Sequence, residues 1–151
     1  MVSRRLCWAK KNGGYIIYGR SDATLNPGGV RLGTAEIYSV IENFKEVKES
    51  IVVGQKWDND VRIILFVVMS KSYSLNDDII LRLKKRIRSE ASPRHVPSKI
   101  IQVSDIPRTK NGKIVELAVK NTIEGSKIKN IQAWANPKVL NEFKNLKQLK
   151  F

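Results

Sequence analysis

Cysteine and histidine are nearly absent: the 151 residues include one of each, Cys7 and His95. A lone cysteine excludes an intrachain disulfide and a cysteine-built metal cluster. The lone histidine sits between Pro93 and Pro97 and has no companion ligand, so no metal site is read from it. Its spacing to Ser98 or Asp105 supports no Ser-His-Asp assignment. Long apolar runs are also missing. The longest, "IILFVVM" at 63–69, suits a buried strand and falls far short of the roughly 18 residues of a membrane span. The basic start "MVSRRLCWAKKNGG" has too short an apolar run for a secretory leader, which with the cysteine count points to the cytoplasm. No G-x-x-x-x-G-K-[ST] stretch occurs, so a Walker-type phosphate loop is excluded.

Acidic residues are scarce too: 14 Asp and Glu against 28 Lys and Arg, a net charge of +14. Such an excess favours an acidic partner: nucleic acid, an anionic membrane, a polyphosphate ligand or another protein surface. A solvated lysine-rich surface is the plainer account of the lysines near the C-terminus. Tryptophan and tyrosine interleave with the basic residues, which permits a nucleic-acid surface, but no known nucleic-acid motif is present.

What is present reads as a folded domain. A hydrophobic fraction of 42% is too high for a disordered chain, and the length suits one domain with a sizeable core. "YIIYG" (15–19) reads as a short strand after the turn Asn12-Gly13-Gly14. Thr34 reads as a helix cap, with Ile37, Val40, Ile41 and Phe44 on one buried face. "SIVVGQKW" (50–57) and "VRIILFVVM" (61–69) form a hairpin across Asp58-Asn59-Asp60. Ser74 is expected to cap a second helix, with Asp77 at the capping-box position and Ile80, Leu83 and Ile87 as its stripe. "KIIQV" (99–103) reads as a third core strand. A third helix is expected from near Gly112 to Gly125, with Ile114, Leu117 and Ala118 inward. A short amphipathic segment after Pro137 carries Val139, Leu140, Phe143 and Leu146. The expected class is α+β: a small mixed sheet covered by helices and preceded by a short hairpin or hinge segment.

Three polar clusters interrupt this pattern. They are "YGRSDATLNPGGVRLGTAEIY" (18–38), "RSEASPRHVP" (88–97) and "PRTKNGK" (107–113). In the third, Pro107 stiffens the entry, Asn111-Gly112 makes a tight turn, and Lys113 projects beyond it. A lysine so held can meet phosphate or carboxylate as a point charge. It can equally be a solvated lysine beside a common turn.

"YGRSD" with "GGVRLGTAEIY", followed by "PRTKNGK", resembles the C-terminal domain of adenylate-forming enzymes, the acyl-CoA synthetase superfamily. "SPRHVPSKI" and "WANPKVLNEF" are similar to its acetoacetate-activating branch, and the resemblance runs from about Gly13 to Phe143. It implies a small domain that rotates between making an acyl-adenylate from ATP and passing the acyl group to coenzyme A. It also implies an N-terminal adenylation domain as partner, and acetoacetate, ATP, coenzyme A and Mg2+ as substrates and cofactors of the complete enzyme. Membrane and nucleic acid are not expected partners.

By position, the resemblance makes Lys113 the adenylation lysine and Asp22 the hinge. Arg20 would meet the adenylate ribose, Gly29 would line the pantetheine path, and Arg31 and Arg88 would lie near coenzyme A phosphates. Each has a plainer account: Asp22 closing a turn, Gly29 serving only a turn, Arg31 and Arg88 as surface charges. "LNPGG" stands where the superfamily more often carries a lysine-containing segment. The expected division is a linker and strand at 1–21, the mobile domain at 22–130 and a helical tail at 131–151. Alone, the chain is expected to lack the full ligase reaction. A basic nucleic-acid module or a stand-alone interaction domain are the other readings of the residues.

Overall fold

The computed structural model describes residues 5–9, 15–20, 25–128, 130–144 and 146–149. Strand β1 (Arg5–Ala9) pairs antiparallel with β2 (Tyr15–Arg20) as a two-stranded ribbon. From Leu25 on, the elements are α1 (Ala35–Ile41), β3 (Val47–Trp57), β4 (Asp60–Met69), α2 (Asp77–Glu90), β5 (Lys99–Gln102) and α3 (Glu116–Ile123). The second sheet has the order β3-β4-β5, with β3 and β4 antiparallel and β4 and β5 parallel. This is the small mixed sheet with helices that the sequence pattern implies.

The central strand explains itself. From Ile63 to Met69 every residue of β4 is buried, as expected for a strand covered on both faces. Alternate side chains then divide between two cores. Ile63, Leu65, Val67 and Met69 join Val52, Ile100 and the buried faces of α1 and α2 on the first face. Ile64, Phe66 and Val68 join Ile51, Val53, Ile101, Val119 of α3 and Phe143 on the second. The β3–β4 hairpin closes through Asp58 and Asn59, both at positive φ, the backbone that a two-residue turn of matching twist demands.

Three expectations are corrected. Helix α2 is capped by Asn76, whose side chain accepts the Ile79 N–H at 2.9 Å, and not by Ser74. Its inward stripe is therefore Ile79, Leu83 and Ile87, with Ile80 only half-buried. Helix α3 begins at Glu116 and not near Gly112, because residues 107–115 are consumed by a tight backbone turn. That delay shifts the helical phase: Ala118 and Val119 are buried, whereas Ile114 and Leu117 are 41% and 50% exposed. Thr34 does hold the cap position of α1, but its hydroxyl makes no capping hydrogen bond.

The tail returns to the domain. Leu140 and Phe143 of the 3-10 segment Pro137–Phe143 are buried, and the Phe143 ring meets Phe66 edge-on, 4.8 Å between centroids at 73°. Such a pair adds about 0.5–1.5 kcal/mol beyond its area burial.

Candidate functional site

The Lys113 turn is a small ribbon built on hydrogen bonds. Thr109 N–H donates to the Lys113 carbonyl at 2.9 Å, and Gly112 N–H to the Thr109 carbonyl at 2.8 Å. The Lys113 N–H is taken by Thr109 Oγ1 at 3.1 Å. Gly112 sits at φ +77, a left-handed backbone that glycine adopts without strain. Arg108 braces the turn from beneath. Its guanidinium pairs with Glu49 of β3 at 2.7 Å and donates to the Gly112 carbonyl at 3.3 Å. The Lys113 side chain is exposed, and among the described residues no carboxylate or hydrogen-bond acceptor meets its ammonium. The backbone is thus held while the charge is left available.

The glycine loop is likewise pinned at its base and open at its tip. Leu25 and Leu32 exchange both backbone hydrogen bonds, at 2.9 and 2.7 Å, and both pack on the first-face core. Between them Pro27–Gly29 forms a 3-10 turn with Gly28 at φ +59 and Gly29 at φ +75. The Asp60 carboxylate accepts the Gly28 N–H through both oxygens, at 2.8 and 3.1 Å, tying the loop to the hairpin tip. Gly29 and Arg31 are exposed, and a Cβ added at Gly29 would meet nothing within 4 Å. Arg88 lies exposed in the last turn of α2, next to the buried Ile87.

The sheet sorts these residues. The loop of Gly29 and Arg31, and α2 with Arg88, belong to the first face. The Lys113 turn is flanked by Ile106 and Val119, which belong to the second. Arg20 contributes only the last backbone position of β2 to the description, and Asp22 lies outside the described residues.

Several groups the motifs did not flag shape the site: Arg108, Asp60, Asn136 and Tyr38. Tyr38, on α1, crosses the open edge of the sheet. Its hydroxyl accepts the Val52 N–H at 2.9 Å and donates to Glu116, at the start of α3. Burial first, then the Glu116 carboxylate, pushes the Tyr38 phenol well above its ordinary value. A tyrosine two residues before the buried Val40 carries no signal in sequence for such a bridge. His95 is buried in the 3-10 turn Pro93–His95, its Nδ1 2.7 Å from Ser92 Oγ. No group of three potential metal ligands occurs among the described residues, and none of their helices is long and apolar enough to cross a membrane.

The family of AMP-binding enzyme C-terminal domains has a model that matches residues 36–113, from α1 through the Lys113 turn. The chain belongs to this family. Among curated relatives it is 56% identical over 139 residues to acetoacetyl-coenzyme A synthetase of Rhizobium meliloti (strain 1021), and 44% identical over 140 residues to that of Gallus gallus. Each alignment covers 92% of this chain and 21% of the relative, so the chain spans about a fifth of their length. Among solved structures, acetoacetyl-CoA synthetase from Streptomyces lividans superposes with a TM-score of 0.80 at 34% identity, over 97% of this chain and 22% of that one. A benzoate CoA ligase from Burkholderia xenovorans LB400 gives 0.66 at 27% identity, over 76% of this chain and 22% of that one. The matched span begins inside α1 and ends at Lys113, so it takes in the Lys113 turn and leaves out the glycine loop between Leu25 and Leu32.

Proposed function

We propose that this chain is the swivelling C-terminal domain of an acetoacetate–CoA ligase that forms AMP. In this reading residues 1–21 link it to an adenylation domain, residues 22–130 form the mobile unit, and residues 131–151 are a tail packed back upon it. The partner domain supplies the sites for acetoacetate and ATP, and coenzyme A enters for the second half-reaction. Mg2+ would travel with the ATP phosphates. The described residues offer no cluster to hold it, and no step is assigned to it.

The observation that carries the proposal is the Lys113 turn, a hydrogen-bonded backbone presenting an ammonium that meets no partner among the described residues. Placed against the reacting carboxylate and α-phosphate, that charge stabilises the negative charge that develops as pyrophosphate leaves. Preorganised electrostatics of this kind is commonly the largest catalytic contribution. Gly29 leaves a gap for the pantetheine arm, and Arg31 and Arg88 offer guanidinium groups to coenzyme A phosphates. Arg20 would meet the adenylate ribose and Asp22 would act as the hinge. The two groups of residues lie on opposite faces of the sheet. One orientation of the domain therefore offers Lys113 to the reactants and another offers the glycine loop, which supports rotation between half-reactions.

The test joins this chain to the adenylation domain of the Rhizobium meliloti relative and separates the half-reactions. Lys113→Ala should lower acetoacetate-dependent ATP–pyrophosphate exchange about 100-fold or more, the usual loss for a preorganised charge-stabilising group. Thioester formation from supplied acetoacetyl-adenylate should persist. If both half-reactions survive unchanged, the role of Lys113 is wrong. The chain by itself should form no AMP from acetoacetate, ATP and coenzyme A, and robust turnover by a highly purified sample would overturn the reading as a partner-dependent domain.

A further inference from the structure

The hairpin that presents Lys113 has a second edge, and that edge is occupied. A two-stranded ribbon alone in water is marginal. Here residues 108–110 form the middle of three short antiparallel runs. On one side they bond to 113–114, as described. On the other, Lys110 N–H donates to the Ala133 carbonyl at 3.1 Å, and Ala135 N–H donates to the Arg108 carbonyl at 2.9 Å.

One side chain locks the arrangement. The Asn136 amide oxygen accepts the Arg108 N–H at 2.8 Å. Its NH2 group donates to Asp105 Oδ2 at 2.9 Å and to the Ile106 carbonyl at 3.0 Å. Three positions at the entry of the turn are thus tied to a single residue of the tail. An asparagine is suited to this task, because the site requires one acceptor and two donors on a short planar group. The neighbouring Trp134 is buried against Ala118 of α3 and Leu140, so the segment cannot drift without exposing the indole.

We infer that residues 130–136 are a splint for the Lys113 turn and that Asn136 is its positioning residue. The splint rests on these hydrogen bonds alone, and the positioning role in catalysis rests on Lys113 being the adenylation lysine. The Lys113 ammonium has no partner of its own among the described residues, so its aim follows from the backbone beneath it. A displacement of about 1 Å at a reacting group can cost about 100-fold in rate.

The direct test uses the 151-residue chain and amide hydrogen exchange read by NMR. In Asn136→Ala, the Arg108 and Lys110 amides should exchange about tenfold faster or more, because Arg108 loses its acceptor and the run that holds Lys110 loses its anchor. The Gly112 and Lys113 amide resonances should shift, while those of β4 and α2 keep their protection. Asn136→Asp retains the acceptor for Arg108, loses both donors and sets a second carboxylate against Asp105. It should disturb the same amides and gives the answer if the alanine variant fails to fold. Wild-type exchange and shifts at all four positions would overturn the splint.

In the joined enzyme, Asn136→Ala should lower pyrophosphate exchange about tenfold or more and spare thioester formation from supplied adenylate. If Lys113→Ala abolishes adenylation while Asn136→Ala leaves it at the wild-type rate, the positioning role is wrong. If Lys113→Ala is harmless while the Asn136 variants still shift the turn, the reading of Lys113 fails and the splint stands.

Discussion

Gly29 allows a test in which backbone strain and blockage of a ligand path separate cleanly. The residue sits at φ +75, and a Cβ added there meets nothing within 4 Å. An alanine there therefore incurs the cost of the left-handed backbone, about 1–2 kcal/mol, and no clash with the described residues. At about 2–4 °C per kcal/mol for a chain of this size, Gly29→Ala should lower Tm by about 2–8 °C. Gly29→Leu should fall by about the same amount, because the position is exposed and the site of the added Cβ is clear. The two variants should part only in catalysis. If the pantetheine arm passes Gly29, forcing extra methylenes into that path costs about 1–3 kcal/mol, or about 5- to 150-fold in rate. The assay is thioester formation from supplied acetoacetyl-adenylate in the joined enzyme, with thermal melts of the free chain alongside. Equal thioester rates for the alanine and leucine variants would refute the placement of Gly29 on the thiol path. A leucine variant several kcal/mol less stable than the alanine variant would refute the open geometry of the loop.

Phe143→Ala should cost about 3–5 kcal/mol, because the ring is fully buried against Phe66, and urea titration of the free chain measures it. A loss below about 1 kcal/mol would show that the tail does not complete the core. Tyr38→Phe should cost about 1–3 kcal/mol, since the Val52 N–H and Glu116 each lose the hydroxyl. The phenol also sets a pH dependence. Its folded pKa is raised, so its contribution is intact below the ordinary value near 10. Above that value the unfolded state holds fewer protons than the folded one, and stability falls as pH climbs. The wild type should therefore lose stability above about pH 10 more steeply than Tyr38→Phe. Identical slopes in paired denaturation series would refute the environment assigned to Tyr38. Lys113→Ala should leave the melting temperature of the free chain within about 2 °C, as expected for an exposed side chain that meets no partner among the described residues. A larger drop would mean that the ammonium supports the fold.

Much of the architecture is legible along the chain because it depends on short periods. Alternation in "VRIILFVVM" separates the two cores, and Ile37, Val40, Ile41 and Phe44 sit at helical spacing and are all buried. The hairpin at Asp58-Asn59 is legible because few residues tolerate positive φ at adjacent positions. Phase is less legible. Ser74 and Asn76 are both capable caps, and only the extended backbone at Asn76 aims its side chain at the Ile79 N–H. Ile114 and Leu117 look like core residues until the turn delays α3 to Glu116 and rotates them outward.

By itself the sequence determines the residue types with chemistry to offer: a lysine after Asn-Gly, paired glycines in a loop, and arginines near both. It also determines the apolar stripes that gather a three-stranded sheet. Tertiary structure decides how those groups are held and which way they face. Gly28 is anchored by Asp60, 32 positions away, and Arg108 by Asn136, 28 positions away. The sheet then separates the glycine loop from the Lys113 turn, placing them on opposite faces. No local period encodes such contacts, because each depends on where two distant segments meet once both faces of β4 have been covered.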